Sequence, residues 1–189
     1  MVNKIPNELD NPIDVILYNQ VDRDLEFYKK LGLTPNGLTT ISLILALTGI
    51  YNFYHDEYFL GALLFFIGYY FDCADGKMAR KYKMFSKYGD LYDHYSDFIK
   101  IALLFYVFYK KSPEKFKKIF IVSIILFIFL KLYTSCQENI YGRKEESDFL
   151  NFFTIDLNNC EEKLKYLKYF APGTVISFLT LCILLWNKI

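Results

Sequence analysis

Residues 58–80 read YFLGALLFFIGYYFDCADGKMAR, an apolar run that ends in two aspartates, Asp72 and Asp75. Such a run is helical and long enough to enter a hydrocarbon layer, where carboxylates are costly unless they have a task. A basic loop, 81–88, leads into Gly89-Asp90-Leu91-Tyr92-Asp93-His94-Tyr95-Ser96-Asp97, and a second apolar run follows over 98–109. On helices, Asp72, Asp75, Gly76 and Ala79 share one face at i, i+3, i+4 and i+7, while Gly89, Asp93 and Asp97 share another at i, i+4 and i+8. The short loop makes the two helices antiparallel neighbours, so the four carboxylates converge at one end of the pair.

Working outward, spans are expected near 38–54, 58–71, 89–109, 116–133 and 169–186, each close to the ~20 residues that cross a bilayer. Residues 13–32 mix Val15, Ile16, Leu17, Leu25 and Phe27 with Asp22, Arg23, Asp24, Lys29 and Lys30, a pattern for one or two helices lying along a membrane surface. Residues 1–12 read as a loosely held tail. The expected fold is therefore an all-α integral membrane protein, a bundle of five to six transmembrane helices with an N-terminal interfacial amphipathic helix. Residues 1–32 form the polar tail and interfacial helix, and 33–189 the membrane domain. Glu145, Glu146, Asp148, Asp156, Glu161 and Glu162 mark 144–165 as an interfacial or soluble excursion.

Composition agrees. Of the 189 residues 53% are hydrophobic, and 22 basic against 21 acidic side chains leave a net charge of +1. That balance excludes a nucleic-acid partner, which requires a basic excess. The N-terminus lacks the early apolar core of a signal peptide. Lysines flank the site loop and recur at 110–118, so the positive-inside rule does not orient the chain. Cys73, Cys136, Cys160 and Cys182 show no CxxC spacing and read as free thiols in apolar or interfacial surroundings.

Four carboxylates at a membrane edge repel one another unless cations sit among them. For any single aspartate a solvated acidic patch is the simpler account, but four on two registered faces beside apolar runs argue for a site. Oxygen-only ligands select hard ions, Mg²⁺ or Mn²⁺ rather than zinc. Four aspartates suffice for two ions ~3.5–4 Å apart, the arrangement that clamps attacking and leaving oxygens in phosphoryl chemistry. Gly76 and Ala79 keep the face free of bulk for a phosphorylated ligand, and Arg80 supplies a bidentate phosphate partner at its rim.

The complete pattern over 72–97, D-x2-D-G-x2-A-R-x8-G-x3-D-x3-D, resembles the signature of the CDP-alcohol phosphatidyltransferase family at every position, and the hydrophobic layout extends the resemblance over roughly 33–187. The resemblance implies a metal-dependent transferase of phospholipid biosynthesis, typically with six spans, often a homodimer, its active site near the cytoplasmic face. By the same resemblance Asp72, Asp75 and Asp93 bind metal and the CDP diphosphate, and Asp97 joins them as general base on the acceptor hydroxyl. Gly76, Ala79 and Gly89 would line the CDP site. Asn36, in Pro35-Asn36-x-x-Thr39, resembles the family's segment before the first span, and equally fits a helix N-terminal turn.

Two details resemble the choline/ethanolamine phosphotransferase branch: Gly76-Lys77-Met78-Ala79-Arg80, and Gly89-Asp90-Leu91-Tyr92-Asp93-His94, whose His94 could help deprotonate the acceptor. On that basis CDP-choline or CDP-ethanolamine is the expected donor and diacylglycerol the acceptor. The alternative is a CDP-diacylglycerol donor with inositol, serine or glycerol phosphate as acceptor, for which Lys83, Lys87 and Arg143 are candidate phosphate partners. The chain is about half the length of the first branch, and Tyr95 stands where that branch has glycine. An endomembrane such as the endoplasmic reticulum is implied for a eukaryotic source, the plasma membrane for a prokaryotic one. A small transporter or an inactive scaffold fits less well, since the charges cluster at one edge, no internal repeat is visible and every motif position is kept.

Overall fold

Helix starts are written into the chain as polar caps followed by proline. In a computed structural model, which describes residues 5–141 and 159–189, the α-helices are α1 (Pro12–Lys30), α2 (Pro35–Tyr54), α3 (Tyr58–Tyr82), α4 (Lys87–Lys111), α5 (Pro113–Tyr141), α6 (Cys160–Leu167) and α7 (Pro172–Leu184). The side chains of Asn11, Thr34 and Ser86 accept from the N–H groups of Ile13, Gly37 and Gly89 at 2.9, 3.2 and 2.8 Å. Prolines 12, 35, 113 and 172 each occupy a first helical position, where a missing N–H costs nothing. Gly32, at φ 75°, stops α1. No strand occurs among the described residues.

Among the described residues, four helical segments are long and apolar enough to cross a membrane: Pro35–Tyr54, Tyr58–Tyr82, Pro113–Tyr141 and Cys160–Leu184. The fourth is the end-to-end path of α6, a 3₁₀ turn (Lys168–Phe170) and α7. α4 equals α3 at 25 residues, and Asp93, Asp97 and Lys100 interrupt its apolar character. Ile121, Ile125 and Ile128 of α5 and Phe98 and Tyr106 of α4 point outward, as side chains do when the solvent is lipid. The protein is an all-α integral membrane protein.

The tightest contact is between α2 and α3. A Cβ on Gly49 would lie 2.7 Å from the Gly61 carbonyl oxygen and 2.8 Å from the Phe65 nitrogen. Only a residue without a Cβ permits that approach, the small-residue packing usual where lipid gives helices no hydrophobic reason to associate. Away from the acidic end, Phe53, Phe108 and Trp186 form an aromatic core, with Phe108 and Trp186 stacked at 5.5 Å between ring centroids. A polar clasp closes that end, where Lys111 donates to Asp56 at 2.5 Å and Tyr58 to the same oxygen at 2.6 Å.

Three expectations need correction. The tail is not loose in its described part: Ile5 is 1% exposed and packs with Tyr133, Cys136 and Leu164. Asp10 accepts from Tyr133 at 2.9 Å, and Asn11 donates to the Lys168 carbonyl at 2.8 Å and to Thr174 Oγ1 at 2.7 Å. These bonds cross more than a hundred residues and have no periodic signature. The cysteines are not all free, since Cys136 and Cys160 form a disulfide with Cα atoms 5.0 Å apart, joining α5 to α6; Cys73 and Cys182 are buried thiols. The final membrane-length segment starts earlier than 169, at Cys160, within the stretch expected to be an excursion, and it is interrupted at Ala171, which the following proline holds extended at ψ 174°.

α1 is one helix whose Val21 and Leu25 pack on Tyr69, Cys73, Ala74 and Met78 of α3. Its Asp14, 2% exposed, accepts from Tyr69 Oη at 2.6 Å and from the Gly173 N–H at 3.1 Å, pinning α1 to α3 and α7. Burial pushes the Asp14 carboxyl up to about 6. A raised folded-state value stabilises the fold below the unfolded carboxyl range and loses that contribution as pH rises through 6. Melting in detergent micelles is therefore expected to show about 1 kcal/mol more stability at pH 5 than at pH 7.5 from this group, a difference that Asp14→Asn removes. Gly49→Val should cost on the order of 3 kcal/mol, since the added methyls meet backbone that cannot yield; an unchanged melting temperature would show that the α2–α3 seam tolerates separation.

Candidate active site

The four aspartates come from the end of α3 and the start of α4, the half-turns that follow and precede their apolar runs. Asp72, Asp75 and Asp93 each offer a carboxylate oxygen, and the three lie within 4.8 Å of one another. Asp75 is 6% exposed and takes a 2.5 Å hydrogen bond from Thr39 Oγ1 on α2. Asp72 Oδ1 accepts from Ser42 Oγ, one turn further along the same helix, at 3.3 Å. Asp97 stands beside this trio. Its Oδ1 is 2.6 Å from Lys100 Nζ, which is also 2.6 Å from Asp72 Oδ1, and its side chain is 52% exposed against 18% for Asp72.

Other residues named from sequence fall at varied distances from this centre. Gly76, Ala79 and Arg80 are half-buried on α3, and a Cβ on Gly76 would lie 3.2 Å from an Arg80 guanidinium nitrogen, so the arginine folds back along the face that Gly76 leaves bare. Gly89 abuts Asn36, whose Oδ1 would be 2.7 Å from an added Cβ; the first turns of α2 and α4 therefore meet. Thr40 and Tyr92 hydroxyls close the same junction at 3.0 Å. His94 is turned along its own helix, its Nδ1 2.9 Å from the Asp90 carbonyl oxygen. Lys77 points the opposite way from the aspartates. It is fully buried under α1, donating to the Tyr18 carbonyl at 2.8 Å and pairing with Asp22. Lys83 caps α3 in a left-handed conformation at φ 55°; Arg143 lies outside the described residues.

Sequence reading missed three participants. Lys100 sits at i+3 from Asp97 and i+7 from Asp93, so helical spacing alone puts it on the carboxylate face. Thr39 and Ser42 lie at i and i+3 on α2, but only the α2–α3 seam brings them to Asp75 and Asp72.

The geometry suits a hard divalent ion. Asp93 Oδ1 is buried and, among the described residues, has no hydrogen-bond partner, an arrangement that costs about 1–3 kcal/mol unless something positive satisfies it, and its two neighbours in the cluster, Asp72 and Asp75, also offer carboxylate oxygens. Beside the acidic cluster lies a cavity of about 410 Å³ whose charged lining is Asp72, Asp97 and Lys100 and whose walls include Phe65, Phe127, Leu130, Val175 and Ile176. A diphosphate held at the carboxylates thus has a hydrocarbon-lined space next to it.

The CDP-alcohol phosphatidyltransferase family profile matches residues 32–186, and the chain belongs to that family. Members of this family are transferases that act between CDP-linked donors and alcohol acceptors in membranes, and they are generally metal-dependent. The chain is also similar to a curated relative named archaetidylinositol phosphate synthase, from Pyrococcus horikoshii, at 28% identity over 106 residues. That similarity covers 56% of this chain and 52% of the relative, about half the length of each. No solved structure matches the chain.

Thr39→Val keeps the shape of the side chain and removes the hydroxyl that donates to Asp75 Oδ2. It is expected to weaken Mn²⁺ binding by the purified protein about tenfold, as loss of a bond that orients a ligand does, with the melting temperature little changed. Undiminished Mn²⁺ affinity would remove Asp75 from the ligand set.

Proposed function

We propose that this chain moves a lipid-bearing phosphate from a CDP-linked lipid to inositol phosphate, or to a polyol phosphate of the same class, releasing CMP. Similarity to the archaetidylinositol phosphate synthase carries this reading. The orientation of Lys77 and His94 adds to it, because the choline/ethanolamine reading leaned on those two residues. Lys77 contacts Tyr18 and Asp22 of α1, and His94 contacts its own helix, so neither side chain faces the aspartates. The cavity next to Asp72 and Asp97 has the hydrocarbon walls that a CDP-linked lipid needs and a soluble donor does not.

Asp72, Asp75 and Asp93 would hold a divalent cation, which would supply charge neutralisation for the diphosphate and the leaving phosphate. Gly76 and Ala79 leave room for the diphosphate against α3, with Arg80 as a guanidinium partner and the Asn36–Gly89 junction flanking the nucleotide. Asp97, more open than Asp72, takes the proton of the acceptor hydroxyl. The acceptor oxygen forms its bond to the phosphorus that carries the lipid, as the bond from that phosphorus to the bridging oxygen breaks and CMP leaves with the electron pair. The chain's own contribution is orientation and charge stabilisation more than covalent chemistry.

A radiolabel transfer assay on purified protein in lipid–detergent micelles with Mg²⁺ or Mn²⁺ tests the reading. CDP-diacylglycerol and CDP-archaeol are offered inositol phosphate, inositol, serine or glycerol 3-phosphate, against CDP-choline and CDP-ethanolamine with diacylglycerol. Label is expected in a phosphatidyl- or archaetidylinositol phosphate, and Asp97→Asn should lower turnover by at least about a hundredfold while the protein stays folded. Product only from CDP-choline or CDP-ethanolamine would overturn the donor and acceptor assigned here. Asp97→Asn retaining activity would remove Asp97 as the base.

A further inference from the structure

Lys100 is the cation buried at the edge of the carboxylate cluster, 8% exposed in the apolar part of α4. Its ammonium has three protons and three partners: Asp72 Oδ1 at 2.6 Å, Asp97 Oδ1 at 2.6 Å and Ser42 Oγ at 3.2 Å. A lysine buried at this depth is costly without opposite charge around it, and two carboxylates supply that charge. The ammonium bridges one member of the carboxylate trio to the fourth aspartate. Oxygens of Asp72, Asp75 and Asp93 gather within 4.8 Å of one another, and Asp97 is joined to that group through the bond that its Oδ1 shares with Asp72 Oδ1 on Lys100.

Charge bookkeeping gives the arrangement its consequence. Four carboxylates and one ammonium leave three negative charges. One divalent ion reduces that to a single negative charge. A second would carry the four carboxylates, Lys100 and the two ions to one net positive charge, which burial makes unfavourable. Without Lys100, two divalent ions and four carboxylates balance.

We propose that Lys100 is a positioning residue of the transfer site, a built-in cation that ties Asp97 to Asp72 and restricts the donor-free cluster to one divalent ion. Its effect on turnover rests on the transferase mechanism above, since a fixed Asp97 Oδ1 leaves Oδ2 aimed at the acceptor hydroxyl. Its effect on metal binding does not. Arginine at this position keeps the charge, and methionine keeps the bulk without it.

Mn²⁺ bound per chain is to be counted by equilibrium dialysis and electron paramagnetic resonance, on wild type, Lys100→Met and Lys100→Arg in detergent micelles without nucleotide. One ion is expected in wild type and Lys100→Arg, and two in Lys100→Met. In steady-state turnover, Lys100→Met should lower kcat about tenfold with KM for the donor within about threefold, and Lys100→Arg should recover most of the loss. Two ions in wild type overturn the proposal whatever becomes of the variants. A folded Lys100→Met that still binds one ion with wild-type affinity also overturns it. If wild type turns over no CDP-linked donor, the substrate assignment fails, and the Mn²⁺ count alone decides the role of Lys100.

Discussion

Four carboxylates gathered between apolar helices set the terms for everything around them. Their mutual repulsion is strong because little water is present to screen it, and the surrounding residues are those that offset it. Thr39 donates to Asp75, Ser42 donates to Asp72, and Lys100 joins Asp72 to Asp97. Thr39 and Ser42 reach the carboxylates only because α2 lies almost in backbone contact with α3 at Gly49 and Gly61. The seam of small residues and the acidic site are thus one construction: separate the helices and the hydroxyls no longer reach, while the buried charges remain.

The same requirement explains how α1 is attached. It contributes two fully buried apolar side chains, Val21 and Leu25, with Leu17, Tyr18 and Tyr28 packed beside them, and polar bonds add to its hold: Asp14 to Tyr69 and Gly173, and the Tyr18 carbonyl and Asp22 to Lys77. Lys77 lies inside the sequence motif, yet its work is structural. Two residues beyond Asp75 is ~200° around a helix, so a side chain there faces away from whatever Asp75 faces. His94, one residue beyond Asp93, is ~100° away and bonds along its own helix. Motif membership alone does not assign a residue to the site; the helical angle from an aspartate does.

That angle also separates what could be read from the chain alone from what could not. The aspartates and their convergence were legible because local spacing, a short loop and the cost of charge near hydrocarbon act over neighbouring residues. The chain of long apolar helices was legible for the same reason. Lys100 satisfied the rule that identified Asp93 and Asp97 and could have been found with it. The burial of Ile5 and Asn11, the Cys136–Cys160 bond and the direction of Lys77 were not legible, since each depends on a partner 24 or more residues away that no local pattern marks. The start of the last span lay between these cases: Pro172 was visible, but Glu161 and Glu162 marked as an excursion the turns from Cys160 that extend the segment toward the N-terminus.

The site's asymmetry bears on why a transferase of this family can work at a membrane edge. A donor that joins a diphosphate to a lipid has one end that demands cations and another that demands hydrocarbon, and the two must be met within a few ångströms of each other. Here the carboxylates that gather oxygen ligands and the cavity walled by Phe65, Leu130 and Val175 meet at Asp72. The acceptor has the opposite requirement, access from water, and Asp97, with about half of its side chain accessible, is where that access falls. Under the proposed reading one cluster therefore divides its labour. The trio of Asp72, Asp75 and Asp93 would hold the cation, and Asp97, tied to Asp72 through Lys100, would take the proton of the alcohol.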